Sequence, residues 1–205
     1  MTDDSSTGSG RPGRNGPWRV HSTETSFANP WIRIETSRVT HPGGADGIYG
    51  VVRYANLATG VLPLDEEGHT WLVGQHRFPF DAYSWELPEG GGRKGVSPQA
   101  SAARELEEEA GLIADHWLEI GQWHLSNSVS DEVAFGYVAW GLSPGKAEPE
   151  SSEDLTLERV PFGELVRRCL SGEIADAFTH LMVFAARERA RRGELPAEVA
   201  RFLVE

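Results

Sequence analysis

Residues 85–112, WELPEGGGRKGVSPQASAARELEEEAGL, constrain the fold of this chain more than any other segment. Four glutamates fall at positions 105, 107, 108 and 109, with one arginine directly before them. Ser97 followed by Pro98 favours a helix start, because serine caps the first turn and proline has no N–H that needs a partner there. Gly111 is a natural helix end. The segment therefore predicts a short strand, a glycine-rich loop and an acidic helix.

The spacing divides this predicted helix into two faces. Three carboxylates, Glu105, Glu108 and Glu109, are related by i, i+3 and i, i+4 and project from one side. Such neighbours repel, so the arrangement favours a bound cation, and oxygen donors suit Mg²⁺ or Mn²⁺. The alternative is a solvated acidic surface. The face predicted to pack on a sheet consists of Gln99, Ala103, Leu106 and Ala110.

Composition excludes several classes of protein. The 205 residues are 39% hydrophobic and carry a formal charge of −12, which fits one domain with extensions and disfavours binding along a nucleic-acid backbone. The apolar runs are shorter than the roughly 20 residues of a spanning helix, and the N-terminus lacks the pattern of a secretory signal. A single cysteine, Cys169, cannot form an internal disulfide. We therefore expect a cytoplasmic protein without membrane or nucleic-acid partners.

The order of elements predicts a mixed α/β architecture. Residues 1–17 are polar and are expected to form a disordered tail, and residues 18–56 are expected to form an N-terminal β-region. Within residues 57–205, the stretch VLPL-DEEG-HTWLVGQ is predicted to form a hairpin. Further strands follow the acidic helix, and helical patterns end the chain.

Residues 90–112 resemble the Nudix box, G-x5-E-x7-R-E-U-x-E-E-x-G-U, in which U is a bulky aliphatic residue. Eight of its nine specified positions match: Gly90, Arg104, Glu105, Leu106, Glu108, Glu109, Gly111 and Leu112. The preceding WELPEGG is similar to the branch of the family that hydrolyses ADP-ribose and nucleotide sugars. The one departure is Val96, which stands where the first box glutamate is expected.

The resemblance implies a fold, a reaction and partners. The fold would be the Nudix fold, an α/β/α sandwich with a mixed sheet, over residues 57–205. The reaction would be metal-dependent hydrolysis of the pyrophosphate bond of ADP-ribose or a related nucleoside diphosphate sugar, with Mg²⁺ or Mn²⁺ as cofactor. In the resembling branch the N-terminal β-region lies on the substrate side and helps to form a homodimer.

The resemblance also assigns roles by position. Glu105 and Glu109 would be the principal metal ligands, joined by the backbone carbonyl of Glu89. Glu108 would hold a further ion or its water. Arg104 would orient a box carboxylate through charge-assisted hydrogen bonds rather than contact the metal.

Further candidates lie outside the box. Glu132, in the loop HLSNSVSDEV, is the predicted general base, with Asp131 as the alternative. An ordinary acidic turn remains the other interpretation of this loop. The predicted substrate-binding residues are Arg77 in GQHRFP and, from the N-terminal strands, Arg53 and Tyr49, each of which is also explained by an ordinary place in a strand.

The sequence indicates the type of reaction more closely than it indicates the substrate. Asn127 stands where the ADP-ribose branch usually has a proline, which favours other nucleotide sugars such as a GDP- or ADP-hexose. Two alternatives remain. One is a Nudix hydrolase of dinucleoside polyphosphates or oxidised nucleotides, and the other is a catalytically silent module that binds nucleotide sugars as a sensor.

Overall fold

The computed structural model describes residues 13–148 and 154–204, which divide into two compact units. Residues 13–56 and 126–132 form the first unit. The second unit contains residues 57–125 and the described residues from 133 onwards. The loop 126–132 therefore belongs to the first unit although the strands on either side of it belong to the second.

The first unit is an antiparallel sheet of four strands in the order β1-β2-β3-β4. The strands are β1 (Gly13–Asn15), β2 (Trp18–Ala28), β3 (Ile32–Thr40) and β4 (Asp46–Tyr54). The predicted disordered tail is wrong for residues 13–17, because β1 pairs with β2 across a turn at Gly16, whose φ is +56°. The rest of that prediction, residues 1–12, lies outside the described residues.

The loop 126–132 docks on β4 through backbone hydrogen bonds. The Val52 N–H donates to the carbonyl of Val129 at 2.8 Å, and the Asp131 N–H donates to the carbonyl of Val52 at 3.2 Å. A parallel bridge joins Val52 to Ser130. The loop therefore extends the edge of the N-terminal sheet.

The second unit contains two sheets and four helices. Its strands are β5 (Asn56–Pro63), β6 (His69–Arg77), β7 (Ala82–Glu86), β8 (Glu89–Arg93), β9 (Leu112–His124), β10 (Val133–Pro144) and β11 (Thr156–Pro161). Its helices are α1 (Pro98–Ala110), α2 (Phe162–Ser171), α3 (Ala177–Arg191) and α4 (Ala197–Leu203). None of these four helices is long and apolar enough to cross a membrane.

Helices cover both faces of a mixed sheet in the order β8-β5-β10-β9, in which β5 and β10 are parallel and β10 and β9 antiparallel. Alternate residues of its strands enter different cores. Val61 and Tyr137 join the smaller core under α1, whereas Leu62 and Val138 join the larger core with α2, α3 and α4. This arrangement agrees with the predicted α/β/α sandwich.

A row of glycines lets α3 approach this sheet closely. Gly60, Gly136 and Gly121 are paired in register across β5, β10 and β9. A Cβ added at Gly136 would lie 2.7 Å from the Trp123 ring and 2.8 Å from Cγ of Met182. The missing side chains therefore make room for one tryptophan ring and one turn of α3.

The predicted hairpin between β5 and β6 is wrong. The Gly68 N–H donates to the Asp65 carbonyl at 3.1 Å, as a tight turn requires. The two strands nevertheless enter different sheets, since β5 pairs with β10 and β6 pairs with β11 and β7. The segment is a corner that carries the chain from one sheet to the other.

The glycine row generates a stability prediction. Gly136→Ala should lower the free energy of unfolding by about 1–3 kcal/mol, because the new methyl group must displace Trp123 or Met182. Urea denaturation measures the change. Gly163→Ala is the matched control, since a Cβ there meets nothing within 4 Å in the first turn of α2. It should be neutral or stabilising by up to about 1 kcal/mol, and equal losses in both variants would contradict the packing argument.

Candidate active site

The acidic helix α1 has the predicted ends. The Ser97 hydroxyl accepts a hydrogen bond from the Ala100 N–H at 3.4 Å, and Gly111 ends the helix with a φ of +64°. Two of its glutamates, Glu105 and Glu109, are only 8% and 7% exposed. The interpretation of α1 as a solvated acidic surface is therefore wrong for these two carboxylates.

The packing face of α1 is rotated from the predicted one. The core residues on this helix are Ala102, Leu106 and Ala110. Gln99 is exposed and Ala103 is half-buried. The rotation has a clear cause, because the buried stripe must also include the glutamates that face β8.

The start of β8 lies directly against these glutamates. The Glu89 N–H donates to the Glu109 carboxylate at 3.0 Å, and the Thr59 hydroxyl donates to the Gly90 carbonyl at 3.4 Å. A Cβ added at Gly90 would overlap the Glu105 carboxylate. A side chain at this box position would therefore displace the Glu105 carboxylate from its place against β8.

The N-terminus of α3 anchors the segment that leads into β8. The Leu87 N–H donates to the Thr179 hydroxyl at 2.9 Å, and the Thr179 N–H donates in turn to Asp176, the N-cap of α3, at 2.6 Å. Both Leu87 and Thr179 are fully buried. A helix that is distant in sequence thus sets the position of the loop before the box glycine.

Arg104 contacts both the glycine-rich strand β8 and two glutamates of α1. Its guanidinium donates to the Gly91 carbonyl at 3.0 Å and to the Glu105 carboxylate at 2.5 Å, and it also pairs with Glu108. These contacts are the ones that an orienting role requires. The role itself, and that of Glu108 as a ligand, stay predictions.

Arg77, a predicted phosphate-binding residue, pairs with a glutamate that the sequence analysis missed. Its Nε lies 2.9 and 3.1 Å from the two carboxylate oxygens of Glu86, which is only 4% exposed. Glu86, and then Glu89 and Glu109, raise the pKa of the arginine against the opposing effect of burial. Glu86 is the first of the two glutamates in the WELPEGG segment, and that position was the one signal of its role.

The Glu89 side chain is the second group that the sequence analysis did not use. Its Oε2 is buried and has no hydrogen-bond partner among the described residues. Burial raises the pKa of this carboxyl well above its ordinary range, and the negative charges of Asp176, Glu86 and Glu109 add to that effect against the influence of Arg77. A carboxyl group in this position lacks a positive partner of its own.

The donor set fits a hard divalent cation. Several carboxylates lie near two guanidinium groups in this part of the second unit, and a buried oxygen of Glu89 has no hydrogen-bond partner among the described residues. Oxygen ligands of this kind are those that Mg²⁺ and Mn²⁺ prefer. The carboxylates are Glu86, Glu89, Glu105, Glu108 and Glu109, and the guanidinium groups are those of Arg77 and Arg104.

A separate acidic group stands at the corner between β5 and β6. Ligand atoms of Asp65, Glu67 and His69 lie within 4.8 Å of one another. Arg159 forms ion pairs with both carboxylates of this group. A protein side chain thus already supplies its positive charge, and we assign it to structure rather than to metal binding.

The first unit holds the other predicted substrate-binding residues. The Arg53 Nε donates to Glu35 at 2.9 Å, and the Tyr49 hydroxyl donates to the Ser128 carbonyl at 2.6 Å. Both residues line a cavity of about 420 Å³, together with Trp18. The loop residues 127–130 also line it, so Asn127 lies beside Tyr49 and Arg53 in the same cavity wall.

The two acids considered as general base have different surroundings. The Asp131 carboxylate accepts a hydrogen bond from the Tyr54 N–H at 2.9 Å and lies 3.6 Å from Arg53. Glu132 is half-buried, and burial, followed by the charge of Asp131, raises the pKa of its carboxyl. Asp131 thus holds the loop on the sheet, whereas the Glu132 carboxyl accepts no such backbone hydrogen bond within the described residues and has a raised pKa.

Comparison with known families matches most of the chain to two family models. Residues 55–181 match the NUDIX domain. Residues 18–52 match the nucleoside diphosphate sugar hydrolase N-terminal domain.

Characterised relatives extend this similarity. An ADP-ribose pyrophosphatase of Mycobacterium tuberculosis is 33% identical over 167 residues, which cover 80% of each chain. An ADP-ribose pyrophosphatase of Bacillus subtilis is 30% identical over 76% of this chain and 85% of its own length. The crystal structure of an ADP compounds hydrolase has the same fold, with a TM-score of 0.76 at 20% identity over 86% of this chain and 96% of that one. The predicted enzyme class, a pyrophosphatase, is confirmed, and the chain belongs to the Nudix family.

Proposed function

We propose that this chain hydrolyses the pyrophosphate bond of ADP-ribose or a related nucleoside diphosphate sugar, releasing a nucleoside monophosphate and a sugar phosphate. The observation that carries the proposal is the burial of Glu105 and Glu109 against the first residue of β8. Buried carboxylates on one face of α1, next to the first residue of β8, supply the oxygen ligands that a divalent cation prefers. The names of the relatives from M. tuberculosis and B. subtilis support the reaction and the substrate class.

The N-terminal unit supports the choice of substrate class. Its match to a nucleoside diphosphate sugar hydrolase N-terminal domain favours a nucleotide sugar over a dinucleoside polyphosphate or an oxidised nucleotide. Arg53 and Tyr49 are proposed to bind the nucleotide, because guanidinium and aromatic groups stack on bases. Homodimer formation through this unit and a place in the cytoplasm are part of the proposal.

The divalent ion would be held by the carboxylates of Glu105, Glu109 and Glu108 with the backbone carbonyl of Glu89. When bound, Mg²⁺ or Mn²⁺ supplies charge neutralisation of the pyrophosphate and lowers the pKa of a coordinated water. Arg104 orients Glu105 and Glu108 through the contacts described above.

Arg77 is proposed to bind a substrate phosphate. A guanidinium group recognises phosphate oxygens with two parallel N–H donors, so its orientation determines its usefulness. The bidentate pair with buried Glu86 fixes that orientation from one side. The remaining N–H groups stay available to substrate, since the side chain is 38% exposed.

Glu132 is proposed as the general base that accepts a proton from the attacking water. Its raised pKa makes it a stronger base than an ordinary glutamate. Asp131 is the weaker candidate, because its carboxylate already accepts a backbone hydrogen bond and faces Arg53.

A substrate panel tests the function. Purified protein is incubated with ADP-ribose, ADP-hexoses, GDP-hexoses and dinucleoside polyphosphates in the presence of Mg²⁺, and monophosphate release is measured. Turnover is expected with the nucleotide sugars and requires the ion. Binding of a nucleotide sugar without any turnover would instead support the silent sensor.

Replacement of a box carboxylate tests the metal assignment. Glu109→Gln should lower kcat by about 100-fold or more, because a ligand of the ion that neutralises the pyrophosphate loses its charge. The fold should persist, since the glutamine carbonyl can still accept the Glu89 N–H. Glu107→Gln, at the unspecified box position of the same helix, is the control and should retain activity. Near-normal turnover of the Glu109 variant would exclude this ligand.

The pH dependence of kcat tests the general base. Glu132 must be deprotonated to accept a proton, so activity should fall as the pH drops through its raised pKa. Glu132→Gln should lower kcat by about 100-fold with little change in substrate affinity, and should remove this acidic limb. If Asp131→Asn causes the larger loss of kcat, the general base is Asp131 and not Glu132.

A further inference from the structure

Beyond the box, we propose that the side-chain carboxylate of Glu89 is itself a ligand for the divalent cation. The proposal rests on the metal dependence of the proposed function, and it adds a ligand that the Nudix box pattern does not specify. It also bears on a peculiarity of this chain, which has Val96 where the box normally provides its first glutamate. A valine offers no oxygen, and Val96 is largely exposed.

The backbone already brings Glu89 to the ligand cluster. Its N–H donates to the Glu109 carboxylate at 3.0 Å, so the residue starts β8 in contact with a principal predicted ligand. The anchor between Leu87 and Thr179 fixes the chain two residues earlier. The position of the Glu89 backbone is therefore set from both sides.

The side chain has an oxygen atom in need of a partner. Its Oε2 is buried and makes no hydrogen bond with the described residues. Burying a polar atom without a partner costs about 1–3 kcal/mol, and more when the group is charged. Such an atom calls for an explanation, and an ion bound at the site is one.

Two arrangements within the chain could have satisfied this carboxyl group, and neither is present. The first is an ion pair, but the nearby guanidinium of Arg77 donates to both oxygens of Glu86. The second is a hydrogen bond to Oε2 from a donor group of the protein, and none of the described residues supplies one. The group therefore calls for an external cation.

The surrounding charges point to the same partner. The Glu89 N–H contacts the Glu109 carboxylate, and the nearby positive group, the Arg77 guanidinium, is paired with Glu86. Adding a carboxylate to such a group destabilises the protein until a cation arrives. A divalent oxygen-seeking ion relieves this repulsion and fills the coordination position of Oε2.

The experiment measures metal binding without substrate. Chelator-treated protein is titrated with Mn²⁺ and followed by electron paramagnetic resonance of the free ion, and thermal unfolding is recorded with and without Mg²⁺. Glu89→Gln keeps the backbone carbonyl and nearly the same shape while it removes the charge. Glu107→Gln removes the same charge from α1 outside the specified box positions and is the matched control.

We expect Glu89→Gln to weaken Mn²⁺ binding at least tenfold or to abolish binding of one ion, while Glu107→Gln binds as the parent does. Without metal the Glu89 variant should unfold at the same or a higher temperature than the parent, because the fold no longer has to bury an ionisable carboxyl group. Its gain in unfolding temperature on adding Mg²⁺ should be smaller, as linkage requires for weaker binding.

Three outcomes would overturn the proposal. Unchanged Mn²⁺ affinity and stoichiometry in Glu89→Gln would show that the carboxylate is not a ligand. A lower unfolding temperature without metal, combined with a normal gain from Mg²⁺, would indicate a structural role instead. Absence of Mn²⁺ binding in the parent protein would contradict the metal dependence of the proposed function itself, which separates that failure from the failure of Glu89 alone.

Discussion

The contact between α1 and β8 is the constraint on which the site depends. Two glutamates of a helix are buried against a strand, and the strand can approach because Gly90 has no side chain. The Glu89 N–H donates to the Glu109 carboxylate, and this hydrogen bond joins the start of β8 to α1. Repulsion among the carboxylates is a physical cost of this packing, and the divalent cation that we propose would offset it.

The rest of the second unit holds this contact in place. On the far face of the mixed sheet, the glycine row lets α3 pack closely, and the N-terminus of the same helix fixes Leu87 before the loop. Glu86 then aims Arg77 from a buried position. The packing of α3 on one face of the sheet thus helps to position the polar residues at the start of β8.

The sequence predicted the local features of α1 correctly and its surroundings less well. Ser97 and Gly111 cap the helix as expected, because capping depends on a few neighbouring residues. The predicted packing face was right for Leu106 and Ala110 and wrong for Gln99, since periodicity alone does not predict that glutamates share the buried face. The hairpin across residue 65 was wrong for a related reason, because the turn forms locally but the partners of each strand come from distant parts of the chain.

By itself, the sequence determined the box, the caps of its helix, the family and the reaction class, because these depend on residue types at short, fixed spacings. The tertiary structure alone decided that Glu86 holds Arg77, that Asp131 ties the loop 126–132 to β4, and that a buried oxygen of Glu89 has no partner within residues 13–148 and 154–204. These features depend on contacts and burial that arise only when separate elements pack together in the folded protein. Burial and the distance between charges set their energies, and neither quantity is encoded locally.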